Sequence, residues 1–290
     1  MMTAPPGKRR RIVGLMRWLC VFSAIVLLAW LAFRLAVQPS NDRNWIAEHA
    51  VLPEITFTEN GAHIRHIRSF RHHSREKATP GYSEDFFAFD DVAGVDFVVE
   101  PFSGFKGAAH TFVTFGFADG RHLSFSVEAR REIGEHYSVW RGALRQYELM
   151  MVIADEQDIL SLRAVHRGND VFLYPIRADR AQVAALFERM LRRTDQLARE
   201  PEFYHTVVSN CTSNIIREVN ALVPGRIPLH VTWLLPENAD RFAHELGLID
   251  TELPFPEARA RHRINAAAAL HVDDADFSAR IRTYRAAEKP

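Results

Sequence analysis

Residues 109–129 read AHTFVTFGF-ADG-RHLSFSVEA, and this stretch decides the fold class. Apolar and polar residues alternate on both sides of Ala118-Asp119-Gly120, which is typical of two strands joined by a short turn. A three-residue loop that ends in glycine fits a type I turn followed by a left-handed glycine. The pattern therefore predicts an antiparallel hairpin in which Phe117 lies opposite Arg121.

This register divides the side chains of the hairpin between two faces. The apolar face is predicted to be core and contains Thr111, Val113, Phe115, Phe117, Arg121, Leu123, Phe125 and Val127. The other face is polar and small, and it places His110 directly opposite Glu128. A two-residue Asp119-Gly120 loop is the competing register and would put Glu128 on the face away from His110.

The His110–Glu128 pair has two interpretations. A carboxylate that holds one ring nitrogen fixes the tautomer of a histidine and stabilises its imidazolium form, as in a general base. The alternative is an ordinary cross-strand polar pair on a solvated face, worth under about 1 kcal/mol.

A cysteine opens the helix predicted for residues 211–223. Ser209 or Asn210 is a good N-cap, so Cys211 falls in the first turn, where the helix dipole favours a thiolate. The residues that put Cys211 on the core-facing side of this helix are Ile215, Val219 and Leu222. The position predicts a cysteine nucleophile with His110 as its base, and the alternative is a small buried hydrophobe.

The rest of the chain predicts an α+β domain. Residues 55–70, 96–99, 149–154 and 171–176 have extended or strand patterns, and residues 181–198 have the spacing of an amphipathic helix. A short helix is expected at residues 41–53. Hairpins outnumber strand–helix–strand crossovers, which favours an antiparallel sheet packed on helices. We assign this domain to residues 41–254, and residues 255–290 to a peripheral segment that is either a helix or a loose tail.

The N-terminus has the composition of a membrane anchor. Residues 8–11 are basic, and residues 12–37 are long and apolar enough to cross a bilayer as a helix. A signal peptide is the rival interpretation, but its cleavage site is poorly matched. Positive charge before the helix predicts a cytoplasmic tail at residues 1–11 and a domain outside a bacterial inner membrane, in the periplasm.

Composition excludes several classes of function. Lysines and arginines equal aspartates and glutamates at 36 each, which argues against a nucleic-acid partner. Walker, Rossmann and Gly-x-Ser-x-Gly motifs are missing from the sequence, so we expect no cofactor. Arginines interleave the cluster formed by His63, His66, His72 and His73, and we expect no metal site. Oligomeric state is left open.

Four segments together resemble a known family. They are residues 109–117 around His110, residues 126–132 around Glu128, residues 145–149 (RQYEL) and residues 210–215 (NCTSNI). In this order they resemble the periplasmic domain of the bacterial lipoprotein N-acyltransferase Lnb and its relatives, over residues 41 to about 250. The Lnb proteins carry further membrane helices after this domain, and this sequence has no comparable apolar run there.

The resemblance implies a circularly permuted papain-like thiol enzyme, because the histidine strand precedes the cysteine helix. It implies that Cys211 takes an acyl chain from a membrane phospholipid as a thioester, with His110 as base and Glu128 as its partner. An amine, such as the N-terminus of a lipoprotein, then accepts the chain. The alternatives are a thiol amidase or peptidase acting on cell-wall peptides, and a non-catalytic envelope scaffold.

Overall fold

The computed structural model describes residues 6–102 and 106–283. Residues 1–5 of the predicted tail and residues 284–290 of the predicted C-terminal segment lie outside the described residues. The chain divides into two compact units, Met1–Ser40 and Asn41–Pro290. The first contains helix α1, Pro6–Ala36. Within it, the 20 residues Val13–Ala32 are long and apolar enough to cross a membrane, a test that a signal sequence would also pass.

The second unit is a mixed α+β domain, as the sequence predicts. Its strands are β1 Glu54–Phe57, β2 Gly61–Arg68, β3 Arg71–His72, β4 Ala78–Thr79, β5 Tyr82–Ala88, β6 Val92–Pro101, β7 Ala109–Phe117, β8 His122–Arg130, β9 Glu148–Asp155, β10 Phe172–Pro175 and β11 Glu202–Phe203. Nine of them form one sheet in the order β1-β2-β9-β8-β7-β6-β10, with β5 against β2 and β11 against β9. Strands β3 and β4 pair separately.

Helices cover both faces of the sheet. They are α2 Val139–Ala143, α3 Glu156–Ser161, α4 Arg180–Arg199, α5 Cys211–Leu222, α6 Ala239–Glu245, α7 Phe255–Arg261, α8 Asn265–Leu270 and α9 Phe277–Arg280. The helices predicted at residues 181–198 and 211–223 are confirmed as α4 and α5. The helix predicted at residues 41–53 is wrong apart from the 3-10 turn Ala47–His49, because this segment pairs with the chain after β8 through the Trp45–Glu132 bridge.

The predicted register of the β7–β8 hairpin is confirmed. Val113 pairs with Phe125, and Gly116 pairs with His122. The amide of Phe117 donates to the carbonyl of Arg121 at 3.0 Å. Gly120 has φ +88, the left-handed conformation that ends this loop type and that other residues adopt with strain.

The apolar face of the hairpin is the core, as predicted. It packs under α4 and α5, and Phe187 of α4 makes edge-on ring contacts with Phe115 at 5.2 Å and Phe125 at 5.7 Å. Burial of large aromatic side chains is the main stabilising contribution in such a layer. This packing fixes α5 against β7 and therefore positions the start of α5.

The polar face is buried too, which contradicts the solvated surface that a simple cross-strand pair would need. Ser124 and Ser126 are fully buried, because α3, α8 and α9 cover this face. Arg282 lies beneath them and forms ion pairs with Asp96 and Glu156. Residues 255–283 thus contain helices packed against the sheet and contribute the buried Phe277 to its second core.

Candidate active site

A capping box holds Cys211 in the first turn of α5. The side-chain oxygen of Asn210 accepts from the amide of Ser213 at 2.8 Å, and Ser213 Oγ accepts from the amide of Asn210 at 2.9 Å. Asn210 Nδ2 also donates to the carbonyls of Thr206 and Trp233, at 2.8 and 2.9 Å. These bonds fix the cap residue on both sides, so the adjacent Cys211 is rigidly placed and only 6% exposed.

The imidazole of His110 meets the thiol of Cys211 at the open end of the hairpin. Strand β7 pairs with β6 as far as Ala109, but its pairing with β8 stops at Val113. His110 lies beyond that last pair, and there its side chain interacts with that of Cys211, so that each favours the charged form of the other. The backbone N–H of Thr111 also favours the thiolate, and the sulfur lies 3.8 Å from Thr212 Oγ1.

The far side of the imidazole is held by a serine and a carboxylate. His110 Nε2 lies 2.7 Å from Ser126 Oγ and 3.2 Å from Glu128 Oε1. Ser126 Oγ in turn donates to Glu128 Oε1 at 2.7 Å. Because Nε2 is engaged here, Nδ1 is the ring nitrogen left for the sulfur. Glu128 thus acts on the ring both directly and through the serine hydroxyl.

Glu128 also forms an ion pair with an arginine. Arg163 Nη2 donates to Glu128 Oε1 at 2.8 Å. Its Nε lies 2.9 Å from Glu100 Oε2, an ion-pair contact whose angle does not suit a hydrogen bond. Asn169 Nδ2 donates to the other oxygen of Glu100 at 2.7 Å. Charges therefore alternate in sign from Glu100 through Arg163 and Glu128 to His110.

This arrangement shifts the ionisation of all three predicted site residues. Burial disfavours imidazolium, but the charge of Glu128 and the interactions in which imidazolium N–H groups face Cys211 and Glu128 outweigh it and raise the pKa of His110 to about 10. Burial raises the pKa of Cys211, yet the contact with His110 and the N–H of Thr111 bring it below its usual value. Burial also opposes ionisation of Glu128, but His110 and Arg163 hold its pKa well below the usual range.

The favoured state is a thiolate beside an imidazolium. A thiolate is the nucleophilic form of cysteine, and an imidazolium can donate a proton to a leaving group. Both groups line a cleft of about 910 Å³, together with Glu128 and Tyr204. The structure thus brings together the three side chains that the sequence singled out, in an arrangement suited to nucleophilic catalysis.

Sequence reasoning missed three supporting residues. Ser126 was detectable, since it shares the polar face of the hairpin with His110 and Glu128 in the predicted register. Arg163 and Glu100 lie on other elements, and no local pattern marks them. Their contribution follows from tertiary packing, which brings the π-helical turn Leu162–His166 and the end of β6 beside Glu128.

The histidine cluster near the N-terminus of the domain does not assemble. His63 packs on Phe86, His66 contacts the carbonyl of Leu52, His72 contacts Asp158 and His73 contacts Thr79. Within residues 6–102 and 106–283, no three histidine, cysteine, aspartate or glutamate side chains are grouped so that they could hold a metal ion.

Comparison with known proteins identifies the domain. The family model of the Lnb N-terminal periplasmic domain matches residues 78–237, which include His110, Glu128 and Cys211. The chain belongs to this family. No curated protein and no solved structure matches the chain significantly. Membership in the Lnb N-terminal periplasmic domain family, together with the apolar helix α1, supports a single-pass membrane protein with a periplasmic domain.

Proposed function

We propose that this member of the Lnb N-terminal periplasmic domain family is a cysteine acyltransferase. Its acyl donor is a membrane phospholipid, and its acceptor is an amine, such as the N-terminus of a lipoprotein. The observation that carries the proposal is the buried contact of Cys211 with His110, whose other ring nitrogen is held by Ser126 and Glu128. This set has the order and roles of a nucleophile, a base and an orienting group.

The same geometry supports a circularly permuted papain-like fold for the domain. The nucleophile lies in the first turn of a helix that packs on an antiparallel sheet, and the histidine lies on a strand of that sheet. In the chain the histidine strand precedes the cysteine helix. That order is the one the permutation would produce.

In the first half-reaction the thiolate of Cys211 attacks the carbonyl carbon of a phospholipid ester. The tetrahedral intermediate carries its negative charge on the former carbonyl oxygen, which the N–H of Cys211 at the start of α5 would stabilise. The intermediate collapses as the ester C–O bond breaks. The leaving alkoxide takes the proton of the His110 imidazolium, so the products are a lysophospholipid and a Cys211 thioester.

In the second half-reaction an amine attacks the thioester carbonyl carbon. His110, now neutral, accepts a proton from the amine nitrogen as the C–S bond breaks. An amide leaves the site, and the thiolate–imidazolium pair is restored. Glu128 stays ionised throughout, because its role is to stabilise the imidazolium rather than to move a proton.

Exposed apolar side chains on the loop before Cys211 and on α2 suit a substrate with acyl chains. Val207 and Val208 are exposed in the loop just before Cys211. Trp140 of α2 is 80% exposed, and α2 is tied to the same loop by a bond from Thr206 Oγ1 to the carbonyl of Val139 at 2.8 Å. Large exposed apolar groups that cluster at one site indicate contact with lipid or protein.

Anchoring at a membrane suits the same substrate. The apolar helix α1 would hold the domain beside a bilayer, and the basic residues before it favour a cytoplasmic N-terminus with the domain in the periplasm. Under this proposal the donor is supplied by the membrane in which the chain is anchored. The acceptor amine must reach the cleft from the same compartment.

Intact-mass spectrometry of the full chain in detergent, after incubation with phospholipid, tests the proposal. We expect wild-type protein to gain one fatty-acyl group that hydroxylamine removes. Cys211→Ser should gain no such group, whereas the matched control Cys20→Ser should behave as wild type.

An acyl group on the Cys211→Ser protein would refute Cys211 as the nucleophile. Release of free fatty acid or cleavage of cell-wall peptides, without transfer to an amine, would favour the amidase or peptidase alternative. A Cys211 that reacts with alkylating agents as an ordinary thiol does, and is never acylated, would favour a scaffold.

A further inference from the structure

Two partly buried arginines line the candidate active-site cleft without an anionic partner. They are Arg131, directly after β8, and Arg167, directly after the turn Leu162–His166. Both side chains are partly buried. Across residues 6–102 and 106–283, neither guanidinium has a hydrogen-bond acceptor or an ion-pair partner. By contrast, Arg163 in the same cleft is paired with Glu128 and Glu100.

The backbone holds both arginines in place. The amide of Arg131 donates to His49 Nδ1 at 3.0 Å, and its carbonyl accepts from the amide of Ile46 at 3.1 Å. The amide of Arg167 donates to the carbonyl of Leu162 at 2.8 Å. The two side chains therefore extend from backbone positions that are fixed on the wall of the cleft.

Arg167 lies among other positive charges. Burial lowers the pKa of Arg167, and the positive charges of Arg163 and Arg131 lower it further. Glu100 and Glu128 act in the opposite direction on Arg167 without overcoming these effects. A partly desolvated cation beside other cations is unfavourable, and an anionic ligand would offset that cost.

We infer that Arg131 and Arg167 form a subsite for the phosphate of the acyl donor. Guanidinium groups match the oxygens of a phosphate with paired, charge-assisted hydrogen bonds. In a glycerophospholipid only the glycerol carbons separate this phosphate from the ester carbonyls. Binding it in the cleft that contains Cys211 would hold an ester near the thiolate. This inference rests on the proposed function, because it assigns the headgroup contact of that same reaction.

The first test compares donors in the full chain, with Cys20→Ser as the background and detergent as the solvent. The rate of thioester formation on Cys211 is measured with dihexanoyl phosphatidylglycerol and with dihexanoylglycerol, which has the same esters and no phosphate. Arg131→Gln and Arg167→Gln are each compared with Arg177→Gln, a matched control whose exposed guanidinium is paired with Asp250 and Glu252.

We expect each cleft substitution to slow the phospholipid reaction roughly ten- to hundredfold, as the loss of a charge-assisted hydrogen bond predicts. The loss with dihexanoylglycerol should be much smaller, and Arg177→Gln should match the background. Equal losses with both donors would overturn the inference, because they would show a general effect on the thiolate. So would an unchanged rate with phosphatidylglycerol.

The second test does not depend on which donor the enzyme uses. Iodoacetate is anionic and iodoacetamide is neutral, and the ratio of their rates of Cys211 alkylation reports positive charge in the cleft. We expect this ratio to fall severalfold in both cleft variants, and inorganic phosphate to protect Cys211 in the background protein only. If phospholipid gives no thioester but the ratio falls, the proposed donor is wrong and the anion subsite stands. An unchanged ratio would overturn the subsite itself.

Discussion

Glu128→Gln tests the electrostatic basis of the candidate active site. The substitution keeps the size of the side chain but removes the charge that contributes most to raising the pKa of His110 to about 10. That value lies about 3.5 units above the ordinary 6.5, equivalent to about 4–5 kcal/mol in favour of imidazolium. Because burial acts against imidazolium, the pKa of His110 in the variant should fall to or below its ordinary value.

The expected consequence is a loss of thiolate at neutral pH. With His110 neutral, Cys211 is a buried thiol whose pKa is no longer lowered by an adjacent cation. Glu128 is partly exposed at the cleft, with 21% of its side chain accessible, so solvent screens part of the effect. Even a two-unit change in the pKa difference between His110 and Cys211 would reduce the ion-pair population up to about a hundredfold.

The assay is the rate of Cys211 alkylation by iodoacetamide between pH 5 and 9, in the Cys20→Ser background. The background protein should keep reacting at pH values where an ordinary thiol is largely protonated, because the pKa of Cys211 is lowered. At pH 6, Glu128→Gln should react at least about tenfold more slowly than the background protein, and its rate should recover as the pH rises. Glu252→Gln, which alters a largely exposed carboxylate, is the control. Coincident pH profiles for the two glutamine variants would refute the reasoning.

Two further substitutions test the packing that supports the site. Arg282→Met removes the cation that pairs with two buried carboxylates and should cost about 3–5 kcal/mol of unfolding free energy in urea. Arg280→Met removes an exposed ion pair two residues earlier in the chain and should cost under about 1 kcal/mol. An equal cost for both would mean that the buried ion pairs do not stabilise the domain. Gly142→Ala places a Cβ 2.5 Å from Thr206 Oγ1, so it should displace the loop before Cys211. We expect reduced acyl-adduct formation with little change in secondary structure. Unaltered adduct formation would show that the loop adapts to the added methyl group.

Local sequence patterns predict the β7–β8 hairpin, and the hairpin places two of the three candidate site residues, His110 and Glu128. Alternation and the Ala118-Asp119-Gly120 loop are enough to specify the register, because a one-residue slip would turn every core aromatic to the other face. The register in turn places His110 and Glu128 on one face. The helix cap at Asn210 is equally local, so the position of Cys211 at a helix start could be predicted as well.

The contact between His110 on the hairpin and Cys211 on α5 could not be predicted from the residues alone. It depends on β8 ceasing to pair with β7 beyond Val113, and on α5 packing so that its first turn reaches that end. Burial of the polar face could not be predicted either, because it comes from residues 255–283, whose weak periodicity left a helix and a loose tail equally open. The contact of Arg163 with Glu128 could not be predicted either, since only the fold brings the two side chains together.

Because His110 and Cys211 are buried in contact, the charge of each depends on that of the other. The dependence of stability on pH therefore tests the thiolate–imidazolium pair. Native protein with this pair holds one proton between His110 and Cys211. The unfolded chain also holds one between about pH 6.5 and 8.5, on the cysteine, so folding takes up no proton there and stability is independent of pH through these groups. Above that range the unfolded cysteine ionises, and the contribution of His110 is lost as the pH rises through about 10.

In Cys211→Ser the serine carries no exchangeable charge, so the unfolded chain holds no proton at these positions above about pH 6.5. The native protein still protonates His110, because Glu128 remains beside it. The raised pKa of His110 therefore makes the stability of the variant fall with pH from about 6.5 upward, by up to about 1.4 kcal/mol per pH unit. The difference in unfolding free energy between wild type and Cys211→Ser should grow with pH between 6.5 and 8.5, and all other groups cancel in that difference. A difference that stays constant over this range would show that Cys211 remains a thiol in the native protein, which would leave the nucleophile without its activation.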